Sequence, residues 1–161
     1  MPTPDYITAI RQTYGQGLLF LPGVSAVVLD DAEPPCTLLV RRSDSGRWSL
    51  PSGIVEPGEQ PADTIVREVF EETCVRVRAE RLALLTVEDE IRYPNGDRCQ
   101  FLAMTFRCSY VGGEARVGDE ESTDVRWFAL TELPHLREHE LRRIECALEP
   151  VTLPATFDVA P

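Results

Sequence analysis

Apolar residues change their spacing several times along the chain, and each change marks an element. Tyr6, Ile10 and Tyr14 recur at near-helical intervals between Asp5 and Tyr14, predicting a short N-terminal helix. Runs of β-branched and aliphatic residues at Val24 to Leu29 and Thr37 to Arg42, separated by Asp30, Asp31, Pro34 and Pro35, predict a hairpin. Ser43 to Gly46 reads as a turn, and the glycines and prolines from Ser52 to Pro61 read as a loop. The clearest helix begins at Pro61, where Ala62, Ile65, Val66, Val69, Phe70 and Thr73 fall on one face and proline suits the first turn.

Beyond that helix the period shortens again. Apolar segments from Val75 to Val87 and Cys99 to Val111, joined through the turn-forming pair Asn95-Gly96, predict two more strands. A last strand is expected over Asp124 to Leu130, then a helix over Glu138 to Leu148 with Leu141, Ile144 and Leu148 on one face. Pro150 to Pro161 is proline-rich and expected to be extended. Strands before and after one helix, with a helix at each end, predict an α+β fold: a mixed β-sheet between helices, an α/β/α sandwich. The expected division is 1–22 for the N-terminal helix and lead-in, 23–149 for the main domain and 150–161 for the extended tail.

Composition narrows the chemistry. With 161 residues the chain suits one domain and one site. Sixteen basic against 27 acidic residues give a formal charge of -11, which repels long nucleic acid but not a small polyphosphate accompanied by cations. The five cysteines are an odd number without a CxxC pair, unlike a zinc site or disulfide framework, and fit a reducing cytoplasm. Leu18 to Leu29 is interrupted by Pro22 and Gly23 and is too short to span a bilayer, so neither a membrane nor an export signal is expected.

Candidate chemistry lies on the helix at Pro61. Residues advance about 100° each, so Glu68, Glu71 and Glu72 share one arc, nearly opposite the apolar face. Three carboxylates that close repel one another, and a hard divalent cation such as Mg²⁺ prefers such oxygen ligands. Arg67 is placed to pair with Glu59, fixing the preceding loop so that the carbonyls of Ser52 or Gly53 face the same cations. The alternative is a solvated acidic helix face balanced by arginines.

Gly53, Glu59, Arg67, Glu68, Val69, Glu71, Glu72 and Val75 match the pattern G-x5-E-x7-R-E-U-x-E-E-x-G-U, with U aliphatic, and on these residues the chain resembles the Nudix hydrolase family. The preceding Trp48-Ser49-Leu50-Pro51 is also similar, and the resemblance runs from about Gly23 to Leu148. Cys74 stands where the family has glycine, just past a helix end where a left-handed residue is often needed.

The resemblance implies Mg²⁺-assisted attack of water on a phosphoanhydride in a nucleoside diphosphate-X or nucleoside triphosphate, with Mn²⁺ as a substitute metal. It implies Ser52, Glu68, Glu71 and Glu72 as metal ligands, and Gly53, Glu59 and Arg67 as support. The general base is a box glutamate or one from a later loop. Among Asp119, Glu120 and Glu121, Glu121 is favoured as base or extra ligand, with Glu120 next; Glu56 is a weaker candidate for supporting the ligands from behind.

Arg41, Arg42 and Arg47 are candidates for phosphate binding. Trp48, Tyr93, Phe101 and Trp127 are candidates for stacking on a base, although such residues more often pack in cores. His135 and His139 are expected at the surface. The rival reading is a nucleotide-sensing or scaffold module on the same fold. The N-terminal helix and the tail are natural elements for a homodimer contact.

Overall fold

A computed structural model describes residues 4–159. Its elements are α1 (Asp5–Tyr14), β1 (Leu18–Leu29), β2 (Cys36–Arg42), β3 (Trp48–Ser49), β4 (Ser52–Ile54), α2 (Pro61–Thr73), β5 (Arg76–Val87), β6 (Ile91–Arg92), β7 (Arg98–Gly112), β8 (Ser122–Ala129), α3 (Glu138–Leu148) and β9 (Thr156–Phe157). The main path of the mixed sheet runs β3-β2-β1-β7-β5-β9, with β4 also on β1, β6 on β7 and β8 on β2.

β1 is the spine. It pairs in parallel with β7 along its whole length, from Leu18↔Arg98 to Leu29↔Ser109. Val24, Ala26 and Val28 face Ile65 and Val69 of α2, while Val27 and Leu29 face Ile144 and Ala147 of α3. A strand covered on both faces reads as a continuous apolar run rather than an alternating one, which is how Val24 to Leu29 reads. The sheet is therefore the filling of an α/β/α sandwich. A third cluster, Ile7 with Leu19, Leu21 and Cys99, seats α1.

The expected hairpin of β1 and β2 is present but short-lived. The two strands pair only at Leu29↔Thr37 and then separate. The chain fills the opening: β3 pairs with β2, then the chain crosses at Leu50-Pro51, and β4 pairs with β1 from Gly23↔Ile54 to Ser25↔Ser52. Residues expected to begin a loop at Ser52 thus form a short strand, because β1 offers them an unpaired edge.

Two further expectations are corrected. Phe70 does not join the apolar face of α2 but is about half exposed. The tail is not simply extended: Leu153 N–H turns back to the Pro150 carbonyl, and β9 adds in parallel to β5. Arg81 of β5 causes this, since its buried guanidinium donates to the carbonyls of Cys146 at the end of α3 and Pro154 in the tail. A cation at a helix C-terminus meets the negative end of the helix dipole.

α2 ends on Cys74 in the left-handed region, φ 58° and ψ 13°, with its N–H donating to the Phe70 carbonyl at 2.8 Å. Its last carbonyls are taken by the segment after β7: Arg116 N–H donates to Thr73 and Gly118 N–H to Glu72, both at 3.0 Å. A left-handed conformation costs a residue with a Cβ about 1 kcal/mol. We therefore expect Cys74→Gly to raise the thermal unfolding midpoint by about 2–4 °C. A lower midpoint would mean that the half-buried thiol contributes more by packing than it costs in backbone strain.

Candidate active site

Glu68 and Glu72 are the unusual residues of α2, at 1% and 5% exposure. They do not lie on a solvated face. β4 covers them on one side and the segment at Gly118 passes over the end of the helix on another, so the helix buries its apolar stripe and part of its acidic arc. The acidic arc is consequently the candidate site, because a buried carboxylate is costly unless something compensates its charge.

Gly53 makes the burial of Glu68 sterically feasible. A Cβ at that position would lie 2.1 Å from Glu68 Cδ, so any side chain larger than hydrogen would displace the carboxylate. Gly118 is needed for a similar reason, since a Cβ there would lie 2.0 Å from the Glu71 carbonyl oxygen. Ser52 donates a main-chain hydrogen bond to Glu72. Glu72 Oε2 is buried with no hydrogen-bond partner among the described residues.

Burial dominates the electrostatics. It pushes Glu72 up to about 8, helped by the nearby charges of Glu68 and Asp119. It also pushes Glu68 up to about 7, against the pull of Arg67. Arg67 organises the rest. Its Nε and Nη2 grip both oxygens of Glu59 at 2.9 Å, and its Nη1 bridges Glu68 Oε1 at 3.0 Å and Glu71 Oε2 at 3.1 Å. The guanidinium holds Glu59 down at about 2, and the Thr64 hydroxyl donates to the same carboxylate at 2.9 Å. Glu56 donates its N–H to Glu59 Oε2 at 3.2 Å.

Glu71 is the most exposed of the three helix carboxylates. Among the described residues no three His, Cys, Asp or Glu side chains are gathered as a ready-made metal cage. Mg²⁺ does not require one, since it keeps waters and commonly shares a few carboxylates with substrate phosphates. Two buried carboxylates with raised pKa values, an orphaned oxygen on one of them and the main chain of Ser52 beside it form a donor set of the all-oxygen kind that such a cation takes.

Around this centre the acidic turn closes on β2. The Glu121 carbonyl accepts the Ser43 N–H at 2.7 Å and its own N–H donates to Asp119 Oδ1 at 3.0 Å. Of the three acids in the turn, Asp119 is the one whose charge bears on Glu72; Glu120 is exposed. Arg42 holds Asp44 through two bonds, at 3.0 and 2.7 Å, and is near enough for the charge of Glu72 to stabilise its own. Arg41 donates to the Gly46 carbonyl, and Arg47 is exposed on the same turn.

The aromatic candidates divide. Trp48 packs edge-on against Phe128, Trp127 edge-on against Tyr110, and Phe101 packs beside the α1 cluster, so all three have structural roles. Tyr93 is partly exposed at the β6–β7 turn. His139 lies 3.7 Å from Glu140, a buried carboxylate of α3 that no periodicity singled out. Thr64, Gly118 and Glu140 were missed: a hydroxyl one turn into a helix, a glycine in a polar loop and a glutamate in a helical first turn all have ordinary local explanations.

The NUDIX domain family model matches residues 19–147, and the chain belongs to the Nudix family. It is 38% identical over 96 residues to a MutT-like protein of Streptomyces ambofaciens, covering 60% of this chain and 56% of that one. It is 32% identical over 118 residues to the NAD-capped RNA hydrolase NudC of Pseudomonas putida, covering 64% of this chain and 38% of that one. The chain thus spans about half or less of the length of these relatives. A crystal structure of UDP-X diphosphatase shares the fold at a TM-score of 0.65 and 23% identity, covering 96% of this chain and 74% of that one.

The buried carboxylates give the metal-free protein a characteristic pH dependence. A carboxyl group whose folded pKa is raised favours the fold while protonated, fully so below its ordinary value, and loses that contribution as pH rises through the folded value. Metal-free protein should therefore lose stability as pH rises through about 7 and 8, where Glu68 and Glu72 ionise. Glu72→Gln, which cannot ionise, should melt at least about 2 °C above wild type at pH 9 in chelator. Parallel melting curves at all pH values would exclude buried ionisation as the cause.

Proposed function

We propose that the protein is a pyrophosphohydrolase that cleaves a phosphoanhydride bond in a small nucleoside diphosphate-X or nucleoside triphosphate. The observation that carries this reading is the buried pair Glu68 and Glu72, with the unpartnered Glu72 Oε2, set against Gly53 and Ser52. A carboxylate pair so desolvated is a poor device for stability alone and a good one for binding a cation.

Glu68, Glu71 and Glu72, with the Ser52 carbonyl and with Glu121 from the acidic turn, would hold Mg²⁺, or Mn²⁺ in its place. The bound ion would neutralise polyphosphate charge and make water acidic enough to attack phosphorus. Glu71, the most exposed of the three, is placed to take a proton from that water at a carboxylate oxygen. Glu121 is the alternative base. Arg67 restrains Glu68 and Glu71 while its grip on Glu59 fixes the approach to the helix. Arg41, Arg42 and Arg47 are the side chains suited to the outer phosphates, and their planar guanidinium groups match phosphate oxygens.

The group X is open between nucleoside triphosphates, ADP-ribose, dinucleoside polyphosphates and sugar nucleotides. The formal charge of -11 favours a small nucleotide over a long RNA chain. We place the protein in the cytoplasm, with α1 and the tail as the elements of a homodimer contact. No helix among the described residues is long and apolar enough to cross a membrane.

Assay of a phosphoanhydride panel with Mg²⁺ tests the reading. Wild type should hydrolyse at least one member, and Glu71→Gln should lower kcat at least about 100-fold. Failure of wild type on every member, or full activity in the variant, would sink the enzymatic assignment and favour a sensing or scaffold module.

A further inference from the structure

The short crossing between β3 and β4 presents Ser52 and Gly53 to the carboxylates of α2. Its main-chain bonds show what holds it. Ser49 is the last residue paired with β2, and Ser52 is the first paired with β1. Between them lie Leu50, buried at 2% exposure, and Pro51, which has no N–H. The Pro51 carbonyl accepts the Ala26 N–H at 2.9 Å. The Leu50 N–H belongs to neither ladder.

That donor is met by Glu140. The residue sits in the first turn of α3, where an acidic side chain ordinarily stays near the exposed N–H groups of its own helix. Here it turns inward at 2% exposure, and its Oε2 accepts the Leu50 N–H at 3.2 Å, from 90 residues along the chain. Its charge is balanced by Arg137 at 3.4 Å and Arg143 at 3.9 Å, with His139 at 3.7 Å on the same oxygen as Arg137. Arg143, also buried, is anchored to Glu88 after β5.

Two carboxylates therefore clamp one crossing two residues apart: Glu72 of α2 at the Ser52 main chain, and Glu140 of α3 at Leu50. We propose that Glu140 is a positioning residue for the active site, acting through Leu50 to fix the height at which Ser52 and Gly53 meet Glu68 and Glu72. Glu140 touches none of the reacting groups. Its effect is on the register of the crossing, hence on the affinity of the site for a divalent cation and on the mobility of the Ser52–Ile54 main chain. The cation part of this inference rests on the metal-binding reading above.

Three substitutions separate positioning from plain stability. Glu140→Asp keeps the charge for Arg137 and Arg143 but is one methylene too short to reach Leu50. Glu140→Gln keeps the length and an amide oxygen to accept the N–H. Ile144→Val, in the same helix and in the same apolar cluster as Leu50, weakens the core but leaves the Leu50 hydrogen bond to Glu140 in place. Mn²⁺ binding to each protein by electron paramagnetic resonance, at a temperature where all are folded, is read beside amide hydrogen exchange without metal. Glu140→Asp should weaken Mn²⁺ binding about 10-fold and speed exchange at Ser52–Ile54, while Glu140→Gln and Ile144→Val stay near wild type.

Wild-type affinity and exchange in Glu140→Asp would overturn the inference, as would equal losses in Ile144→Val. Wild type that binds no Mn²⁺ would overturn the metal-binding reading itself, and with it the metal part of the inference. In that case the exchange data still decide whether Glu140 positions the crossing. Should Glu140→Asp fail to fold, Glu140→Gln decides: loss of Mn²⁺ affinity with Leu50 protection intact would also refute positioning.

Discussion

Two carboxylates out of water, Glu68 and Glu72, are the constraint on which the surrounding structure depends. Each additional feature of the site reduces the cost of keeping them there. Gly53 provides room for Glu68, Ser52 donates to Glu72, and Arg67 spreads one positive charge over Glu59, Glu68 and Glu71. The compensation is incomplete, because burial still holds both glutamates well above the usual carboxylate range and one oxygen has no partner among the described residues. A fold optimised for stability alone would replace such a pair by apolar residues of similar volume. Retaining them is the pattern expected where local stability is given up for function.

The divergence of β1 and β2 is what creates the place for this pair. Had the hairpin continued in register, the edge of β1 at Gly23–Ser25 would have been taken by β2, leaving no position for Ser52 and Gly53. By parting after Leu29↔Thr37 the strands leave an opening that the Trp48–Ile54 segment crosses, presenting its main chain to α2. The same helix is closed at its other end by Cys74 and by the N–H groups of Arg116 and Gly118, which bring Asp119 within electrostatic reach of Glu72. One helix thus aligns two separate stretches of chain on a single group of oxygens.

Much of this was legible in the sequence where the determinants are local. The periods of α1, α2 and α3 locate those helices, and the spacing of Glu59 and Arg67 predicted the ion pair that the fold forms between them. What was not legible depends on distant partners. Nothing local in Leu18 to Leu29 announces a parallel partner about 80 residues away, nor why the strand begins six residues before Val24. The tail reads as extended because its strand pairing and its anchor, Arg81, come from β5. Phe70 has the spacing of a core residue, yet it stays about half exposed at an apolar hollow that it shares with Val66, Val77 and Val111. Glu140 looks like an ordinary first-turn acid until Leu50 is placed beside it.

The charges around the site set the terms on which an acidic chain would meet the polyanion proposed as its substrate. The cationic side chains closest to the carboxylates are already committed: Arg67 to three glutamates and Arg42 to Asp44. Arg41 and Arg47 have no carboxylate partner among the described residues, but both lie at the turn after β2 rather than between the buried glutamates. A pyrophosphate brought to Glu68, Glu71 and Glu72 would therefore meet negative charge that Arg67 offsets only in part, in a medium where such repulsion is weakly screened. Protonation relieves this only below the raised pKa values of Glu68 and Glu72. At higher pH only added positive charge can bring the polyanion and the carboxylates together, and a divalent cation supplies it with the oxygen preference these residues match.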